Sequence, residues 1–164
     1  MKESVATAPL AAIEAMPLAI AMRHDLWLYP IVEIIHISGF VVLVGSIAML
    51  DLRLLGLSRR LPVRDLARHV LPWSLGALVL IIPTGLLMFM THATDFLTNR
   101  AFQLKLLLIM LAGVNAAAFH MAALRYAVQW DADTAPPVSA KLHAGFSLML
   151  WFGVIACGRL LAYV

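Results

Sequence analysis

The chain has 164 residues, 63% of them hydrophobic and 13% charged, with a net charge of +3 and a mean hydropathy of +0.92. Soluble domains carry charge on about a quarter of their residues, so this is the composition of an integral membrane protein with almost nothing left over for a soluble domain. The basic balance comes from arginines between apolar runs rather than from a basic tail, which argues against a nucleic-acid partner. The lone Cys157 leaves neither an internal disulfide nor a zinc ribbon to be built.

Residues 1–27 form a separate N-terminal segment. Its apolar stretch, Pro9 to Met22, is interrupted by Glu14 and Pro17, so it reads as a short interfacial or partner-contacting helix rather than a fifth span or a cleavable signal. Residues 28–164 hold four runs of about the 20 apolar residues needed to cross a hydrocarbon core of ~30 Å. The first, Ile31 to Leu50, follows the interface anchors Trp27 and Tyr29 and contains Glu33 and His36. The connection after it holds Arg53, Arg59, Arg60, Arg64 and Arg68, with Asp51 and Asp65 read as offsetting these arginines.

The second run, Val70 to Met90, starts after His69 and is bent by Pro72 and Pro83. A short connection with Arg100 leads to the third, Phe102 to Leu124, which carries Lys105 and His120. After Arg125, a polar loop from Gln129 to Ser139 precedes Lys141 and the fourth run, Leu142 to Tyr163, with His143 and Arg159. The fold expected is all-α: an integral membrane four-helix bundle of up-down topology. Counting arginines and lysines puts the first and third connections in the cytoplasm and both termini outside. In a bacterium this means a multi-pass inner-membrane protein with periplasmic N- and C-termini.

An imidazole gains nothing from hydrocarbon, so histidines in such runs face a bundle interior and bind or relay something. Their plain reading is snorkelling or packing, but here they fall into layers. At ~1.5 Å per residue, His69, His120 and His143 share the inner level, while Glu33, His36, Lys105 and Arg159 share the outer one. Glu33 and His36 are three residues apart, so the carboxylate is placed to orient the imidazole. Arg159 and His143 are about 160° apart at 100° per residue, so the two do not both face the bundle axis.

Haem b needs imidazoles at matching depth, an apolar slot and cations for its propionates. His69 and His143 form a diagonal pair in a square bundle; His120 and His143, on adjacent helices, form the competing one. For His36 the options are an open-coordinate haem, a Met88 or His92 partner, a quinone headgroup, or a structural role beside Glu33. One or two haems, and a quinone, are therefore expected on His36, His69, His120, His143, Glu33, Lys105 and Arg159. Copper handling is disfavoured, because Met88 and Met90 are two apart and project about 160° from each other. No Gly-rich phosphate loop, serine elbow or HExxH pair supports hydrolysis or group transfer.

The segments GSIAMLDLRLLGL at Gly45 to Leu57, FQLKLLLIMLAGVNAAAFH at Phe102 to His120 and WFGVIACGRLLAY at Trp151 to Tyr163 resemble an uncharacterised family of small bacterial four-helix membrane proteins. A first-span histidine followed by a lysine at the head of the third span is more distantly similar to the copper-resistance-D (CopD-type) membrane domains. It is also similar to the HemJ-type haem-binding protoporphyrinogen oxidases, where the resemblance would assign His36 and Lys105 to a haem-associated site. The overall shape resembles small cytochromes b by analogy of architecture. The function expected is a haem b-binding electron-transfer subunit linking a quinone pool to a partner oxidoreductase, with membrane or periplasmic subunits as partners. The alternatives are a non-catalytic structural subunit of a larger complex and a HemJ-like oxidase.

Overall fold

The computed structural model describes residues 3–123, 134–161 and 163. They form an all-helical bundle in which four helices are long and apolar enough to cross a membrane. The order is α1 (Glu3–Glu14), α2 (Pro17–His24), α3 (Leu28–Leu55), α4 (Val63–Thr91), α5 (Ala93–Thr98), α6 (Arg100–Ala118) and α7 (Val138–Leu160), with a π-helical turn at Phe119–Ala123. The spans are α3, α4, α6 with its π turn, and α7. Large apolar side chains cover the outside of the bundle, among them Val79 at 72% exposure and Phe152 at 74%. That surface suits lipid and would be a liability in water.

Helix ends follow local chemistry. The Asp25 carboxylate accepts the backbone N–H groups of Trp27 and Leu28 at 2.8 and 2.9 Å, satisfying donors at the start of α3. At its other end Gly56 takes the left-handed conformation (φ 110°), and Leu57 N–H reaches back to Leu52 C=O at 3.0 Å, the bond that closes a Schellman motif. Arg53 is buried there and donates to the Leu61 and Arg59 carbonyls at 2.6 and 3.0 Å, which fixes the connection to α4. The Asn99 side chain caps α6 by accepting from Ala101 N–H at 2.8 Å.

The helical spans extend past the apolar runs at α4, where Arg64 and Arg68 belong to the helix; a hydropathy count trims charged turns that a helix keeps. Ser139, assigned to the loop by composition, lies inside α7, while residues 134–137 are non-helical. Arg125 and the rest of that loop through residue 133 lie outside the described residues.

Packing is uneven around the bundle. α3 lies along α4 and α7, and α7 lies along α6. Gly39 brings α3 close to α4, since a Cβ there would stand 3.0 Å from Ile81, and Gly153 does the same for α7 against Leu108 of α6. Among the described residues, no Cα of α4 comes within 8 Å of α6. That fourth side is bridged at one end by side chains, where Phe102 stacks on Phe89 and Phe96 with centroids 5.8 and 5.3 Å apart. Between that stack and the buried core at the other end, residues of α4 and α6 line a cavity. The buried core of Leu50, Leu54, Val63, Ala67, Val70, Phe119, Ala140 and Ala144 sits at the other, arginine-rich end.

The N-terminal segment forms two helices rather than one, because Pro17 at the first position of α2 starts a new helix after Met16. Both fold back on the α4–α5–α6 end of the bundle. Ala19 and Met22 are buried, Arg23 donates to Thr91 C=O at 2.8 Å, and Glu14 accepts Thr94 N–H at 2.8 Å. That amide hydrogen bond holds the Glu14 carboxyl below its ordinary range, with help from nearby Arg23 and His92.

Candidate functional site

A cavity of about 520 Å³ opens among α3, α4, α6 and α7. Its walls are mainly apolar, with Leu43, Ile47, Leu78, Ile109 and Trp151 among them, and its polar groups are Ser46, Asp51, Ser74, Asn115, His120, His143 and Ser147. No lysine or arginine lines it among the described residues. The size and character suit a small organic ligand with a few polar atoms.

Each element delivers its polar group for a local reason. His143 sits early in α7, in the second turn past the Pro136–Pro137 pair at which the helix begins. Its Nδ1 lies 2.7 Å from Asn115 Oδ1, and Asn115 Nδ2 donates to the His143 backbone carbonyl at 3.0 Å. A carbonyl only accepts, so the amide nitrogen must be the atom facing it, and Oδ1 must be the atom facing the imidazole. Nδ1 therefore carries the proton, and Nε2 keeps its lone pair. His120, at the π turn that widens the end of the third span, has Nδ1 2.8 Å from Ala116 C=O, which fixes the same tautomer. Phe119 packs edge-on against both rings, with centroids 5.9 and 6.0 Å away.

Asp51 is the group that charge counting misplaces. Its neighbours are the Ser147 hydroxyl and the apolar cavity wall, not the loop arginines it was expected to offset. The residue is only 6% exposed, and Oδ2 has no hydrogen-bond partner. The helical turn carrying Leu50 and Leu54 into the core carries Asp51 into the cavity beside them.

The remaining expected residues are distributed differently. His69, the proposed diagonal partner of His143, is exposed on α4 and does not line the cavity. The α4 and α7 helices are indeed diagonal and make no direct Cα approach within 8 Å, but the His69 side chain is on the outer face. Towards the α5 end, His36 bonds through Nδ1 to Thr84 Oγ1 at 3.0 Å rather than to Glu33. The Thr84 hydroxyl already donates to Leu80 C=O at 2.6 Å, so His36 too is protonated on Nδ1. Its ring packs on Gly85, and Lys105 packs beside Gly158. Glu33 is half-buried on α3. Arg159 is exposed, donates to Tyr163 Oη at 2.5 Å and stands 4.9 Å from that ring's centroid; it is not part of an inward pocket. Among the described residues, no three His, Cys, Asp or Glu side chains converge as a metal site.

Asn115, Ser147 and Asp51 are the residues that sequence reasoning missed. Asn115 carried a signal, as an amide within a strongly apolar run, where a polar side chain needs a partner. Asp51 sits in the equally apolar run AMLDLRLL; proximity to arginines in sequence hid its burial.

The family of unknown function DUF6644 matches residues 28–164. The chain belongs to it. The match begins with α3 and takes in all four spans, so the DUF6644 unit is the bundle that encloses the cavity, and α1 and α2 precede it. No curated protein and no solved structure matches the chain.

Proposed function

We propose that this DUF6644 protein is an electron-transfer subunit working between the quinone pool and a partner oxidoreductase, with the inner cavity as its quinone-pool site. One observation carries the reading: His143 and His120 line an apolar cavity that holds a buried carboxyl, and the hydrogen bonds at their Nδ1 atoms fix tautomers that leave Nε2 with a lone pair. Oxidation of a quinol to a quinone releases two electrons and two protons. The imidazole nitrogens and Asp51 are proton acceptors at the required place, and the electrons pass to the partner subunit. The arginine-rich end is assigned to the cytoplasm of the inner membrane by the charge count, with both termini periplasmic. Reporter fusions after Arg60 and after Val164 are expected to behave oppositely.

Haem b in the same cavity is the second reading, favoured by the fixed tautomers, since histidines that ligate metals are oriented in this way. It would draw its axial imidazoles from His143 and His120, the competing adjacent pair, because His69 faces outward. Among the described residues no lining cation is available for the propionates. Spectra of the purified protein with and without dithionite separate the two. A change confined to the ultraviolet, lost in His143→Leu, supports the quinone site; a Soret band lost in the same variant supports haem; the absence of both signals would contradict the electron-transfer role.

A further inference from the structure

Among the described residues that line the cavity, the buried side-chain polar atom left without a partner is an acceptor, Asp51 Oδ2. The Nδ1 protons of His143 and His120 are engaged outside it, so Nε2 of each offers only a lone pair, and Asp51 Oδ2 is a buried oxygen with no donor. A buried acceptor left unmatched is costly, and a ligand that supplies donors removes that cost. The donors must come on a body that suits walls of Leu, Ile and Trp. An anion is excluded by the carboxyl and by the absence of any lining lysine or arginine among the described residues. A hydroquinone ring has this chemistry, with two hydroxyl donors on opposite edges of a flat apolar body; the oxidised quinone has two carbonyl acceptors instead and leaves Asp51 Oδ2 unmatched.

The open side of the bundle supplies the route. α4 and α6 do not approach each other, and Leu75 and Leu78 of α4 and Ile109 and Gly113 of α6 line the cavity where they part. The phenylalanine stack closes this side at the far end and the buried core around Phe119 at the near one, leaving the cavity level between them. A prenyl tail left in this gap stays in hydrocarbon while its headgroup reaches Asp51.

We propose that the cavity selects the reduced form of a prenylated quinone, admitted from the bilayer between α4 and α6, with Asp51 and the His143 imidazole receiving its two hydroxyl groups. This rests on the reading of the cavity as the quinone-pool site and adds which redox form it prefers, which residue decides, and how the ligand enters.

The test measures binding of a short-chain prenylated benzoquinone and of its hydroquinone, kept reduced under argon, to the full chain in lipid nanodiscs. The readout is the quenching of Trp151, which lines the cavity, taken as the difference from a Trp151→Phe protein. Wild type should bind the hydroquinone roughly tenfold more tightly, as expected for hydrogen bonds to a buried carboxyl. Asp51→Asn, which puts a donor where an acceptor stood, should abolish or reverse that preference while still binding the quinone. Gly113→Phe should weaken both forms without unfolding the chain, since a Cβ at Gly113 meets nothing within 4 Å. Equal affinity for the two forms in wild type, or an unchanged preference in Asp51→Asn, overturns the selection while leaving the quinone site standing. Unweakened binding in Gly113→Phe overturns the entry route. Binding of neither form overturns the site itself.

Discussion

Asn115 and His143 hold each other twice, once from imidazole Nδ1 to amide oxygen at 2.7 Å and once from amide nitrogen to backbone carbonyl at 3.0 Å. The pair locks α6 to α7 at the level of the cavity and decides which imidazole nitrogen faces inward. Replacing Asn115 with Leu keeps much of the volume but leaves the part-buried His143 Nδ1–H unmatched and removes one bond to a carbonyl that α7 still engages, so the bundle should lose about 1 kcal/mol. Nitrogen NMR of ¹⁵N-histidine protein should show an unprotonated Nε2 at His143 in wild type. That tautomer should become mixed in Asn115→Leu; an unchanged tautomer there would mean that Asn115 does not set it.

The outer-level histidine makes a sharper packing prediction. A Cβ added at Gly85 would lie 3.0 Å from His36 Cε1, so Gly85→Ala has to displace the ring by a few tenths of an ångström and strain its bond to Thr84. The expected loss is about 1–3 kcal/mol, in the range for overpacking. Thermal unfolding of Gly85→Ala beside Gly76→Ala checks it, because Gly76 has open space around it and should tolerate the methyl group.

Arg53 is buried within the α3–α4 connection, donating to two loop carbonyls. Arg53→Leu should destabilise the protein by about 1.5–3 kcal/mol, as expected when hydrogen bonds from a buried charged group to part-buried carbonyls are lost. Arg53→Lys should recover only part of this, because an ammonium cannot reproduce the planar fork. Equal melting temperatures for wild type and Arg53→Leu would contradict the role.

Docking of α1 and α2 should depend on pH. The Glu14 carboxyl is held below its ordinary value of 4.5 by the Thr94 amide. Its contribution is therefore present above pH 4.5 and is lost as pH falls through the lower, folded value. Amide hydrogen exchange in residues 3–24 should rise in that acid range for wild type. In Glu14→Gln the rise should be absent, with exchange already higher at neutral pH.

The four spans were legible because a backbone in lipid must satisfy itself, which forces long apolar runs and leaves charge between them. Boundaries shifted where arginines continued a helix, as at Arg64 and Arg68 of α4, and where Pro17 started a new one. Depth was also legible in part: His120 and His143 do meet around one cavity. Facing was not. His69 shares their inferred level yet points outward, and Arg159 turns to Tyr163, because rotation about a helix axis is set by packing against neighbours. Asp51 shows the same limit in reverse: its sequence neighbours are arginines, but its spatial neighbours are Ser147 and a hydrophobic wall. Second partners such as Asn115 and Thr84 lie on other helices, 28 and 48 residues away from the histidines they orient, and no local pattern marks such pairs.

The most direct measurement is the quinone content of the protein purified in native nanodiscs, determined by solvent extraction and chromatography for wild type, His143→Leu and Gly113→Phe. A prenylated quinone should accompany wild type in stoichiometric amount, enriched over the surrounding membrane lipid, and should fall to the bulk membrane ratio in both variants. No enrichment in wild type, or the same enrichment in all three, would contradict the assignment of the cavity to the quinone pool.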